Sequence, residues 1–268
     1  MKNKKMNLKR TAKVIFAILT AILLASIVGC DNQDMVLDEA KTYDVTSEIH
    51  SMDIRISAAD FKIQYGEKFT VVSNLKNLKV SEANGALSLT ELSENSDKFF
   101  KKKDYRDAML TIYIPEGTVF KNVSLSSGAG KFTVDTISAE TLDFEFGAGD
   151  VYINTLVATK YAALNGGTGR ITVSGGALNN FDLKMGTGEL NLKSRLSGAC
   201  EFEMGVGEAK ITLIGSMDDY KLDVTKGVGE IFVDGVKVTD FGSSGNSANR
   251  VKISGGVGKI NVNFEGTE

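Results

Sequence analysis

A Gly-x-Gly triad, with x being Ala, Thr or Val, recurs seven times in this chain, at 128–130, 147–149, 167–169, 186–188, 205–207, 227–229 and 256–258. Successive first glycines lie 19, 20, 19, 19, 22 and 29 residues apart. The flanking columns repeat with the triad. Three residues before it stand Leu125, Phe144, Leu164, Leu183, Phe202, Val224 and Ile253, and five before it Val123, Leu142, Ala162, Phe181, Cys200, Leu222 and Val251. Four after the first glycine come Phe132, Val151, Ile171, Leu190, Ala209, Ile231 and Ile260, and six after it Val134, Ile153, Val173, Leu192, Ile211, Val233 and Val262. All 28 positions are apolar, and those between them are mostly polar or charged.

Alternation with period two on both sides of a glycine turn means two half-buried strands per repeat. A repeat of about 19 residues cannot bury its apolar face alone, whereas a stack of like repeats does. The expected fold is therefore all-β, a β-solenoid (β-helix) with one coil per repeat. The paired glycines (Gly128 and Gly130, Gly147 and Gly149, Gly167 and Gly169, Gly186 and Gly188, Gly205 and Gly207, Gly227 and Gly229, Gly256 and Gly258) let the backbone turn at a corner. Two worn copies lie upstream: Ser57–Gln64, with Met52, Ile54, Phe61 and Ile63, and Ala83–Gly85, with Leu78, Val80, Leu87 and Leu89. That makes about nine rungs. An antiparallel meander folded into a sandwich is the rival architecture. Departures from the period mark insertions at 91–108 and 239–249, the second a Ser/Gly/Asn-rich flexible loop.

The N-terminus reads as an address. Residues 1–13 hold six basic side chains and no acid, and Val14–Ile27 form a 14-residue apolar run before Gly29 and Cys30. That is a secretory signal over residues 1–29, its apolar run shorter than the ~20 residues of a membrane span. Ile27-Val28-Gly29-Cys30 resembles a bacterial lipobox, which implies lipidation of Cys30, a tether over 30–44 and a solenoid over 45–268 on the extracytoplasmic side of the cell membrane. An uncleaved signal anchor is the alternative. Beyond Cys30 the balance is 25 basic against 34 acidic residues, so nucleic acid is excluded as a partner. With two cysteines in all, one of them in the lipobox, no disulfide framework is available, and Cys200 falls in an apolar column as a core residue.

Met109–Asp135 followed by FGAGDVYIN resembles the bacterial "putative adhesin" domain family of unknown function, in which an apolar strand ending in proline precedes serial Gly-x-Gly rungs. The resemblance spans residues 45–264 and implies a β-helical envelope protein without enzymatic activity. It assigns no functional residue.

Chemistry-bearing motifs are few. The triad is followed by a period-two strand, not by the helix and third glycine of a dinucleotide fingerprint, so no cofactor is expected. The residue after each triad reads Lys131, Asp150, Arg170, Glu189, Glu208, Glu230 and Lys259, which excludes repeating calcium sites that need an Asp in each copy. The lone His50 reads as a surface residue, and no metal site is expected. Glu189, Glu208 and Glu230 share one outward column and are the candidate for weak binding of cations or cationic peptides. The expected function is an anchored, non-catalytic binding module for an envelope protein or glycan. A carbohydrate-active β-helix enzyme is the alternative, since such folds also carry acid pairs in grooves.

Overall fold

The computed structural model describes residues 34–35, 37–92, 103–242 and 247–266. In chain order the strands are β1 (Asp34–Met35), β2 (Leu37–Asp44), β3 (Ser51–Tyr65), β4 (Thr70–Leu75), β5 (Leu78–Ala83), β6 (Ala86–Glu91), β7 (Lys103–Asp104) and β8 (Met109–Ile114). Next come β9 (Phe120–Val173), β10 (Gly176–Asn179), β11 (Phe181–Ser197), β12 (Ala199–Ile214), β13 (Lys221–Val233), β14 (Val236–Val238), β15 (Phe241–Gly242) and β16 (Arg250–Glu265). Strands β1 and β7 pair with each other, and the rest form one open sheet. A single 3-10 turn, Met217–Asp219, is the only helical element among the described residues. The fold is all-β and solenoid-like.

The parallel registers decide against the sandwich. Leu183 pairs with Leu164 and with Phe202, and Phe202 pairs with Ile253. Each column of the sequence is thus a column in space. All 28 apolar positions are buried, none above 4% exposure. Phe61 stacks on Phe132 at 4.3 Å between ring centroids, Phe132 meets Phe146 edge-on at 4.7 Å, and Phe181 meets Phe202 at 5.5 Å. Such pairs add to the burial that drives the stack.

The repeat also has a third side. Ile137 and Ala139, Leu156 and Ala158, Leu178 and Leu196 are buried, and Leu178 pairs with both Ala158 and Leu196. At the corner after β10, Asn180 adopts φ +50°, donates through Nδ2 to the Lys160 carbonyl and accepts at Oδ1 from the Ala199 amide. One side chain there ties three successive coils.

The upstream copies divide. β3 is a rung, in register with the first triad coil through Ala58 and Ala129. The Ala83–Gly85 copy is not a glycine corner: β5 and β6 form an antiparallel hairpin whose turn residues Asn84 and Gly85 have φ +51° and +74°. Asn-Gly suits such a two-residue turn because both positions need positive φ. Its β6 arm still lies parallel on β3, with Leu87 beside Met52 and Leu89 beside Ile54.

The largest departure from chain order is at the C-terminal end. β16 lies between β12 and β13, parallel to both, so the last triad stacks before the sixth. β13 is followed by the antiparallel strands β14 and β15, which cover parts of its edge, at Ile231–Val233 and Asp223–Val224. Covering an edge in this way blunts unwanted strand addition.

Candidate functional site

The glycine corner sets the geometry of the outward face. A Cβ placed on any first glycine of a triad would lie 2.2–2.6 Å from a carbonyl oxygen of the neighbouring coil, and on any third glycine 1.7–2.1 Å. The third glycines also have φ between +127° and +144°, a region closed to other residues. Backbone therefore stacks directly on backbone, and the residue after the triad is held in a column that faces solvent.

Read along the stack, that column is Asp60, Lys131, Asp150, Arg170, Glu189, Glu208, Lys259 and Glu230. Charge alternates except at Glu189 and Glu208. Glu189 accepts from Arg170 Nε at 2.9 Å and from Asn191 Nδ2 at 2.7 Å, and these donors hold its carboxyl below the ordinary range. Glu208 accepts from Asn261 Nδ2 at 3.2 Å. Glu230 pairs with Lys237 of β14, which lowers its pKa in the same sense. The three candidate carboxylates thus do not form a continuous ladder: Glu189 and Glu208 are neighbours, but Lys259 separates Glu208 from Glu230. Among the described residues, no three His, Cys, Asp or Glu side chains are grouped to hold a metal ion.

The next outward columns carry the same mixture. Lys131 sits over the Tyr152 ring at 5.8 Å and Lys259 over the Phe232 ring at 4.9 Å. On the side before the corner, Asp182 and Glu201 are adjacent and Lys252 stands between Glu201 and Asp223. Hollows beside the corner, one lined by Met204, Gly207, Val257 and Lys259 and one by Phe146, Gly167, Ile171 and Met185, each hold about 10 Å³. That is room for one water. The Val206, Val257 and Val228 side chains form an exposed apolar strip on the corner itself, at the middle triad positions, to which the repeat pattern gives no role.

Cys200 is buried at 3% exposure, and burial pushes its thiol pKa up, so it is an inert core residue. His50 lies at the surface with its side chain 45% exposed. Cys30 and the signal-like segment lie outside the described residues, as do residues 93–102 of the first insertion and 243–246 of the second. The second insertion is held at its end: Ser247 Oγ and Asn249 Nδ2 both donate to the Asp219 carbonyl, at 2.6 and 3.1 Å.

No curated protein matches the sequence. Similar solved structures include a "putative cell adhesion protein" from Clostridium sporogenes, 17% identical, covering 85% of this chain and 99% of that one, with a TM-score of 0.38. A "putative adhesin" from Parabacteroides merdae is 12% identical, covers 86% and 99%, and has a TM-score of 0.43. A "putative lipid binding protein" from Parabacteroides distasonis is 12% identical, covers 86% and 99%, and has a TM-score of 0.37. The Toastrack DUF4097 family model matches residues 44–263, well over half of the sequence, and the chain belongs to that family.

Proposed function

We propose that this protein is a non-catalytic binding module of the bacterial cell envelope, anchored by a lipid on Cys30. It presents its charged outward columns to an envelope protein or glycan. The observation that carries the reading is the surface built by the glycine corner: regular columns of mixed charge, with carboxylates already engaged by Arg170, Asn191, Asn261 and Lys237. Side chains committed to one another suit recognition of an extended, mixed-charge polymer better than proton transfer, which needs an acid and a base aimed at one bond. The basic n-region, the 14-residue apolar run and Gly29-Cys30 support the anchor.

Two measurements test this reading. Cys30→Ser should abolish incorporation of labelled fatty acid and release the protein from membranes; a mutant that stays membrane-bound at full size means that the apolar run anchors it. Purified Cys30→Ser protein, which carries no lipid, should then co-sediment with purified envelopes at low salt and be released by high salt, because interactions between exposed charges are screened. Release of oligosaccharides from those envelopes by the purified protein would overturn the non-catalytic reading.

A further inference from the structure

The crossed order β12–β16–β13 needs an explanation, because β13 and β16 are near-equivalent in their apolar content. Leu222 pairs with Val251, Val224 with Ile253, Ile231 with Ile260 and Val233 with Val262, and all eight are buried. At these four positions burial does not choose between the strands; they differ at Gly255, which pairs with Met204 where β13 carries Lys226, and at Phe264, which pairs with Leu213 beyond the end of β13 at Val233. Both also carry the Gly-Val-Gly corner.

The outward columns do differ. In the observed order Lys252 stands between Glu201 and Asp223, and Lys259 between Glu208 and Glu230. Lys252 pairs with Glu201. Stacking in chain order would instead put Asp223 against Glu201 and Glu230 against Glu208, like charges one strand apart on both columns. Of the other outward positions on β16, Ser254 between Glu203 and Thr225 and Asn261 between Lys210 and Phe232 are neutral, and Arg250 between Ala199 and Lys221 carries the same charge as its β13 counterpart, so it does not separate the two orders.

We propose that Lys252 and Lys259 are specificity residues for strand order, selecting β16 over β13 as the neighbour of β12. β13 and β16 are alternative occupants of one edge, and the column charges separate the two stacks as opposite charges separate correct from incorrect pairings between strands. The competing explanation is that the inward differences at Gly255 and Phe264, or the connections, impose the order. The Gly215 amide donates to the Glu265 carbonyl, the Lys221 amide to that of Asn249 and the Arg250 amide to that of Gly198.

The corner valines give a direct readout. Val206 and Val257 are register partners, whereas Val206 and Val228 are two strands apart, with β16 between them. Two strand spacings, about 9.6 Å, exceed the reach of a disulfide. In full-length protein carrying Cys30→Ser and Cys200→Ala, Val206→Cys is combined with either Val257→Cys or Val228→Cys. Each pair is refolded from urea in a glutathione redox buffer and its disulfide yield measured. With native charges the 206/257 yield should exceed the 206/228 yield by at least about tenfold. The quadruple charge swap Asp223→Lys, Glu230→Lys, Lys252→Glu and Lys259→Glu should reverse the preference. The neutral set Asp223→Asn, Glu230→Gln, Lys252→Gln and Lys259→Gln should lower the ratio on the order of tenfold, because both columns lose their discrimination. If the charge swap does not fold, the neutral set decides alone. A 206/257 preference unchanged in the neutral set, or retained in a folded charge swap, overturns the proposal and assigns the order to the connections or to the inward differences at Gly255 and Phe264.

Discussion

The first corner of the stack and the later ones are built differently. At the later corners every coil has Gly at both ends of the triad, whereas in β3 the corresponding residues are Ser57 and Ala59. The reason is directional. A Cβ on the first or third glycine of a triad would strike the carbonyl of one neighbour only: Gly128 faces Ser57, Gly130 faces Ala59, Gly186 faces Gly167 and Gly188 faces Gly169. β3 is the first in the series. On its other edge β6 ends its pairing at Arg55 and β8 begins at Asp60, so among the described residues no strand lies over the corner. Ala59 keeps its methyl, buried at 2% exposure, without positive φ. Glycine is thus required by backbone stacked on the preceding corner and, at the third position, by positive φ as well; Ala59 meets neither condition.

In place of that backbone the first insertion provides side chains. Glu91 Oε2 accepts from the Ser57 amide at 2.7 Å, Tyr105 Oη donates to Glu91 Oε1 at 2.6 Å, and the Ala108 carbonyl accepts from the Asp60 amide at 2.8 Å. A carboxylate does at the first corner what a glycine carbonyl does at the others.

The comparison breaks most sharply at the third glycine. Gly188→Ala puts a Cβ 1.8 Å from the Gly169 carbonyl oxygen in a residue with φ +142°. The neighbouring coil has no flexible end to yield, so the stack must separate there. The expected loss in a urea melt is about 4 kcal/mol or more, or failure to fold. Ala59→Gly at the first corner should cost about 1 kcal/mol or less, the ordinary backbone-entropy penalty. Equal losses at both positions would show that close approach and positive φ do not set the later corners apart from the first.

A middle-sized effect sharpens the account of the first corner. Burial, and then the hydrogen bond to Glu91, push the Tyr105 phenol up to about 12 from 10.0. The folded state holds this proton more tightly than the unfolded chain. Its contribution is therefore complete below pH 10 and is lost as pH rises through 12. Urea melts between those limits should show the wild type losing stability faster than Tyr105→Phe, the two curves converging at the alkaline end. Parallel curves would mean that the Tyr105–Glu91 contact does not hold the corner.

Most of the core was legible in the sequence because alternation reports which side of a strand faces in, and stacking preserves that phase from coil to coil. Two things were less legible. Asn84-Gly85 carries the hairpin signal in plain form, yet its flanking Leu87 and Leu89 also fit the rung columns, and both descriptions hold in part. Strand order is harder, since position along the chain gives no direct information about which coil lies beside which. The clues were the long spacings of 22 and 29 residues and the lysines at 252 and 259, where the two preceding repeats carry acids. The candidate carboxylate ladder failed as a continuous ladder for that reason alone.

The smallest expected effect concerns what remains of that ladder. Glu189 and Glu208 stand side by side, whereas Glu230 is separated from them by Lys259 and paired with Lys237. Two carboxylates one strand apart repel in water by roughly 0.9 kcal/mol at most, and Arg170, Asn191 and Asn261 already relieve part of this. A divalent cation has only that residue to act on. Millimolar calcium should raise the thermal midpoint of the wild type slightly more than that of Glu208→Gln, by about 1 °C or less. Glu230→Gln should respond as the wild type does, because Lys259 keeps it out of the pair. A calcium response diminished equally by Glu208→Gln and Glu230→Gln would point to a shared site across Lys259 and contradict the charge alternation of the column. A response unaffected by either would leave Glu189 and Glu208 as an ordinary solvated pair.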